Sequence, residues 1–390
     1  MRRRLLLLVF GAAALVPLWL VVDLLSPYRG YSESILIVVE PGARAYQVAD
    51  LLVAGGVLRH RLPFLVRYYA GRPRHALRAG EYLFDRPLRP IDVCRKLVQG
   101  DVYLHPVVVP EGSDRFDIAR ILNLRLGIDP EDFLRVTQQA MAISDLDPKA
   151  PSLEGYLFPD TYRFPRGVNA ATVVLAMLAR FRHVTATRFE SQGLSPNPDF
   201  LLRLEEGSGG GEKSGWHEVI TLASLVEKET PEASERPLIA GVFERRLERG
   251  MPLQCDPTVV YAARLDNRPA GPITRSDLGF DSPYNTYRYS GLPPGPIANP
   301  GEASIRAVLH PAKGDALYFV ANNQGGHVFA RTLAEHQRNV SRFRREVAAL
   351  HRDETGPAGK SSKPPAHEGN KRAAQAQKRA GKTQQETTHP

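Results

Sequence analysis

Residues Leu5–Val22 form an unbroken apolar run behind three arginines, Arg2, Arg3 and Arg4. Such a run is long enough to span a membrane. In lipid a backbone must satisfy its own hydrogen bonds, so a helix is the fold open to it. Asp23, Leu24 and Leu25 follow, and Trp19 stands where an interfacial aromatic would. Ala12-Ala13-Ala14 resembles a signal-peptidase site, but the apolar run continues past it. The reading is an uncleaved single-pass anchor over residues 5–25, with a cleaved signal as the alternative. The arginines keep residues 1–4 in the cytoplasm, which puts the rest of the chain on the extracytoplasmic side of an inner membrane.

With 390 residues, two or three further domains fit. The net charge of +9 suggests nucleic acid until it is located. Three charges are the N-terminal arginines, and the tail from Arg352 holds eight basic against four acidic residues. About +2 is left for everything between, too little for a nucleic-acid footprint. Two cysteines, Cys94 and Cys255, indicate neither a disulfide framework nor a cysteine metal site, though a single bridge stays open.

After the anchor, Ile35–Val39 reads as a strand closed by Pro41-Gly42, and Tyr46–Ala54 as a helix ended by Gly55-Gly56. Pro63–Tyr69 and Pro90–Val98 predict two more helices. A strand follows the turn at Ala79-Gly80, and another covers Val102–Val109. This small α+β unit, residues 35–112, holds no catalytic cluster and suits binding or spacing. Residues 113–350 predict a larger α+β domain, mostly helical to Leu204. Its aromatic insert Leu153–Tyr162 is either packed core or part of a carbohydrate groove. Gly207–Ser214 mimics a phosphate loop, but Glu212 occupies the position of the glycine before the lysine, so 207–215 reads as a linker. The tail 352–390 has no apolar periodicity and is expected to be disordered.

Trp216–Thr230 predicts a helix with Val219, Leu222, Ala223 and Val226 on one face, stopped by Pro231. His217-Glu218 opens a zinc-protease motif, but Thr221 takes the place of the second histidine, so no metal is expected. At 100° per residue Glu229 falls beside Leu222 and Leu225, Lys228 points away, and Glu227 lies roughly 200° from Glu229. A carboxylate at that edge loses solvation and meets the negative end of the helix dipole. Both raise its pKa toward the range of a general acid; an ordinary solvated helix end is the alternative. Further on, tyrosines and amides stand on proline-braced loops, a texture that suits stacking on sugars and bonding their hydroxyls, or plain structural turns.

Six motifs follow one another along the chain: Leu222–Thr230 (LASLVEKET), Leu253–Thr258 (LQCDPT), Tyr284–Tyr287 (YNTY), Gly291–Gly295 (GLPPG), His310–Lys313 (HPAK) and Gly325–His327 (GGH). In this order they resemble the YceG-like family of endolytic murein transglycosylases. The resemblance covers about Ile35 to Leu350 and implies a LysM-like subdomain ahead of the catalytic one. It implies Glu229 as the catalytic residue. Candidate substrate-binding residues are Asp256, Thr258, Tyr284, Asn285, Tyr287 and His327. Cys255 departs from the pattern, where a threonine is commoner. The implied partners are peptidoglycan strands and cell-wall synthases or division and elongation proteins, with no cofactor. Two rivals stay open: a lysozyme-type hydrolase pairing Glu229 with Asp256 or Asp281, and a non-catalytic peptidoglycan-binding scaffold.

Overall fold

The computed structural model describes residues 15–71, 76–193, 215–268, 271 and 273–354. The expectations for Arg2–Arg4, for the first part of the anchor through Ala14, for the linker through Ser214 and for the tail beyond Glu354 lie outside these residues. Residues 15–25 are helical (α1), and no described helix is long and apolar enough to cross a membrane.

The architecture is α+β. Strand β1 (Ile35–Val39) is followed by α2 (Ala45–Ala54), α3 (Arg61–Ala70), β2 (Gly80–Phe84) and α4 (Pro90–Gln99). β1 and β2 pair antiparallel, with Ile37 opposite Tyr82. Val39, Leu52, Phe64, Tyr82, Phe84 and Leu97 close a first core beneath them. Pro90 opens α4 where a missing N–H costs nothing, and Gly100 closes it at φ 72°, a left-handed conformation that glycine adopts without strain.

β3 (His105–Val108) pairs antiparallel with β4 (Thr161–Phe164). Its Val107 joins a second, larger core. The change from one core to the other falls within residues 102–107. The two cores are tied through buried Glu81, which is hydrogen-bonded by His105 and, at 2.9 Å, by Arg166. α5 (Arg115–Leu126), α6 (Pro130–Thr137) and α7 (Ala170–Val184) wrap the second core. Each starts on a side-chain cap: Asp114, Asp129 and Asn169 accept from backbone N–H groups at 2.8–2.9 Å. Such a cap is typically worth ~1 kcal/mol.

At the centre lies α8 (Gly215–Glu229), packed by α9 (Arg236–Glu248), α10 (Asp256–Leu265) and α11 (Glu302–Leu309). The sequence suggested one apolar face. In the structure every residue from Val219 to Val226 is buried, Thr221 and Ser224 included. Of these two small polar side chains, Thr221 Oγ1 is buried without a hydrogen-bond partner, whereas Ser224 is satisfied. Ser224 Oγ donates to the Thr221 carbonyl at 2.7 Å and accepts from Ile297 N–H at 3.0 Å. The Leu153–Tyr162 insert is packed core: Leu153, Tyr156, Leu157 and Phe158 are buried. Gly155, at φ 88°, sits so close to Pro296 and Ile220 that a Cβ would overlap both. β5 (Tyr318–Ala321) and β6 (His327–Ala330) form the last antiparallel pair, ahead of α12 (Leu333–Glu354). The chain divides within α12, at His336. In the second unit the described part is helix, with Ser341 Oγ donating to the Gln337 carbonyl at 2.8 Å.

Candidate active site

The last turn of α8 sends three consecutive side chains three ways. Glu227 accepts from Arg236 Nη2 at 3.0 Å and from the Gly301 N–H at 3.0 Å, which ties α8 to α9 and to the start of α11. Lys228 Nζ donates to the Gly112 carbonyl at 3.1 Å. Glu229, half-buried, faces Cys255 and lies within the fields of Asp256, His327 and Arg246. Pro231 ends the helix where the sequence places its stop.

Burial pushes the Glu229 carboxyl up to about 7, and the nearby Asp256 charge adds to the rise. The Cys255 thiol donates to Glu229 and, with His327 and Arg246, pulls the other way. Cys255 itself is 1% exposed, and burial beside Glu229 holds its thiol far above the usual range. It is unpaired, as is buried Cys94.

Thr286 positions the loop that carries Cys255. Thr286 Oγ1 accepts from Cys255 N–H at 3.0 Å and lies 2.9 Å from Thr258 Oγ1, while its carbonyl accepts from Gln254 N–H at 3.1 Å. Between them Gln254 adopts φ 52°, one of two described non-glycine residues with positive φ. A backbone strained at that point and held by three contacts marks a loop whose shape serves the site. Thr258 and Asn285, expected as sugar ligands, are both fully buried. Asn285 Nδ2 donates to the Leu278 and Phe280 carbonyls, and its Oδ1 accepts from Tyr287 N–H at 3.0 Å. Their polar atoms brace the loops instead of reaching outward.

Asp256, Tyr287 and His327 do gather at Glu229. Tyr287 Oη donates to Asp256 Oδ1 at 2.5 Å, and both remain accessible. Tyr284 is placed elsewhere, its ring 5.2 Å from Tyr261. Asp281 accepts from Tyr289 Oη at 2.7 Å. An open depression of about 220 Å³ borders this end of α8 between Lys228, Asp256, Tyr261, Arg264 and Ile297.

Three contributors escape sequence reading. Glu235 accepts from His327 N–H at 2.6 Å and sits 2.7 Å from its Nδ1, with Thr230 Oγ1 donating to it at 3.2 Å. A carboxylate facing Nδ1 favours the tautomer with the proton on that nitrogen. Arg246, 7% exposed, donates to the carbonyls of Leu253 and Leu317, both at 2.7 Å, and so brings a positive charge beneath Glu229. Glu154, 1% exposed, gathers the Arg115 N–H, Asn299 Nδ2 at 2.8 Å and Tyr261 Oη at 3.1 Å. Burial raises its pKa to about 8. Asn299 also accepts from Leu157 N–H and donates to Ser113, so this hub stitches the loop before α11 to the core. Among the described residues no group of three His, Cys, Asp or Glu side chains converges to hold a metal.

Because Glu229 holds its proton up to about 7, any reaction needing it as an acid should slow as pH rises through that value. A profile of kcat/KM against pH should show a descending limb near 7, and a rate still climbing past pH 8 would contradict this.

Residues 37–342 match the model of the YceG-like family. The chain is 31% identical over 339 residues to the endolytic murein transglycosylase of Bacillus subtilis, covering 82% of this chain and 88% of that protein. It is 30% identical over 352 residues to the endolytic murein transglycosylase of Streptococcus pneumoniae strain R6, of which it spans 60%. A crystal structure of a YceG-like protein from Listeria monocytogenes is 29% identical, with a TM-score of 0.49, over 79% of this chain and 99% of that one. By its matched length and its motifs, the chain belongs to the YceG-like family.

Proposed function

We propose that this chain is an endolytic lytic transglycosylase of peptidoglycan. It cuts the β-1,4 bond between N-acetylmuramic acid and N-acetylglucosamine inside glycan strands. The observation that carries the chemistry is Glu229: a desolvated carboxyl whose pKa of about 7 lets it exist as acid and as base near neutrality. Protonated Glu229 gives its proton to the glycosidic oxygen as the C1–O bond breaks. The resulting carboxylate takes the proton of the muramoyl 6-hydroxyl, whose oxygen closes on C1. The products are a 1,6-anhydromuramoyl end and a free 4-hydroxyl, and no water is consumed. Because the nucleophile is part of the same sugar, orientation replaces a second carboxylate. Tyr287, Asp256 and His327 are suited to holding the strand against Glu229, with the depression beside Lys228 as part of its path.

Residues 5–25 serve as a membrane anchor in this reading, with the catalytic body extracytoplasmic and close to the enzymes that build the wall. The strand–helix–helix–strand unit from β1 to β2 supports the LysM-like assignment, and with it a glycan-binding role for that module. A specific observation keeps the hydrolase reading in play: Asp256 lies close enough to raise the Glu229 pKa. Its carboxylate, however, is already engaged by Tyr287.

Digestion of long purified glycan strands tests the endolytic part. Cuts inside strands should give a broad early distribution of intermediate lengths. Release of disaccharides alone from the first minutes would contradict it.

A further inference from the structure

Helix α3 buries Pro63 and Phe64 on one side. On the other, Leu62, Val66 and Tyr69 are 46%, 43% and 59% exposed. Their spacing of i, i+4 and i+7 puts them on one helix face. Arg59 and Arg61 stand at the N-terminal end of the stripe and are exposed, Arg59 with its guanidinium 5.1 Å over the Tyr28 ring. Arg61 is engaged by Asp50 at 3.3 Å in an exposed pair of the kind that holds little energy and can yield to a stronger anion.

The point where α3 begins identifies what covers this face. His60, the residue before α3, lies against α1: its ring centroid is 5.2 Å from that of Trp19, and its Nδ1 is 3.6 Å from Asp23 Oδ1. A helix rises ~1.5 Å per residue, so these contacts sit roughly 3–9 Å back from the last residue of α1, toward its N-terminal, lipid-directed end. The first turn of α3 is thereby set at the depth where an anchor passes through the headgroup layer. α1 is itself bare, because Leu15, Val16, Leu18, Val21, Val22 and Leu25 are each at least half exposed. Apolar area bared on that scale calls for an apolar environment. The backbone pins the arrangement below α1, with Tyr28 N–H bonding Leu88 O at 3.0 Å and Gly30 N–H bonding Gly56 O at 2.8 Å.

Resting on the anchor reading above, we infer that α3 lies on the outer face of the bilayer. Leu62, Val66 and Tyr69 dip to the acyl boundary while Arg59 and Arg61 meet the phosphates of anionic phospholipid. An apolar stripe with arginines at its end is the pattern of an interfacial helix. The catalytic body would then be held at two points, the anchor exit and α3, which restricts its tilt over the membrane.

The test uses the full chain with one cysteine placed at Leu62, Val66 or Tyr69 and labelled with an environment-sensitive dye. Native Cys94 and Cys255 are buried, so they leave a low background. Leu124 and Met141, 77% and 85% exposed on the large domain, serve as control sites. In vesicles of phosphatidylglycerol and phosphatidylethanolamine, the α3 labels should shift to the blue. They should also be quenched severalfold more than the controls by spin-labelled lipid, and less so in phosphatidylcholine alone. Failure of the chain to float with vesicles would overturn the anchor and this inference with it. Flotation with α3 labels as wet as the controls would overturn this inference alone. Equal quenching in both lipids would remove the phosphate contacts. An apolar signal seen only in native membrane vesicles would assign the face to a protein partner and overturn the lipid assignment.

Discussion

Glu229→Gln is expected to reduce strand cleavage by at least about 10²–10⁴-fold, the usual worth of one general acid–base group, and by more if one residue serves both steps. The substitution keeps the size of the side chain and removes its proton, so strand binding should survive. Stability should move the opposite way to activity. The fold holds the Glu229 proton up to about 7, whereas an ordinary glutamate releases it near 4.5. Between those values the unfolded chain binds fewer protons, so this group makes the parent fold progressively less stable as pH rises from 4.5 to 7. Glutamine carries no such penalty. The variant's advantage should be absent in acid and complete above neutrality, on the order of 3 kcal/mol. Denaturation midpoints measured at pH 4.5 and 8 check the sign, and an advantage larger in acid would contradict the burial of Glu229.

Glu227, two residues earlier, should behave in the reverse manner. Its side chain is 5% exposed, that of Arg236 is 8% exposed, and their 3.0 Å contact locks α8 to α9. Glu227→Ala leaves the buried Arg236 guanidinium with its 3.7 Å contact to half-exposed Glu111, and breaking a buried pair costs up to about 3–5 kcal/mol. Thermal unfolding should fall by roughly 5–10 °C. Glu227→Gln keeps an acceptor for the Gly301 N–H and should be milder, retaining most cleavage at temperatures where it is folded. A stable but inactive Glu227→Gln would move the catalytic assignment from Glu229 to Glu227.

The elements from β1 to α4 were legible nearly to the residue because each is bounded by proline or glycine and carries a clean apolar period. Glu229 was legible for a related reason: helix geometry alone separates it from Glu227 and Lys228, and the structure sends the three apart. Other features were not legible. The apolar positions of α8 suggested one buried face because Thr221 and Ser224 read as polar; Ser224 is buried on partners supplied by the helix itself and by Ile297, and Thr221 Oγ1 is buried without one. The internal bonds of Thr258 and Asn285 were not visible either, because loop polarity does not reveal where a hydrogen bond is spent. Glu235 and Arg246 looked like ordinary charges on helical stretches, yet Glu235 acts on a residue 92 positions away and Arg246 on one 71 positions away. Contacts closed only by the tertiary fold leave no local pattern to read. The β3 strand shows the same limit, since its partner β4 lies beyond two helices.

The central claim is that one carboxyl group cuts the strand without water. Digesting purified sacculi in ¹⁸O-labelled water and weighing the new ends by mass spectrometry tests it directly. The account predicts 1,6-anhydromuramoyl ends free of ¹⁸O from the parent chain, and none above background from Glu229→Gln. Reducing ends carrying ¹⁸O would contradict it and point to a hydrolase that pairs Glu229 with Asp256.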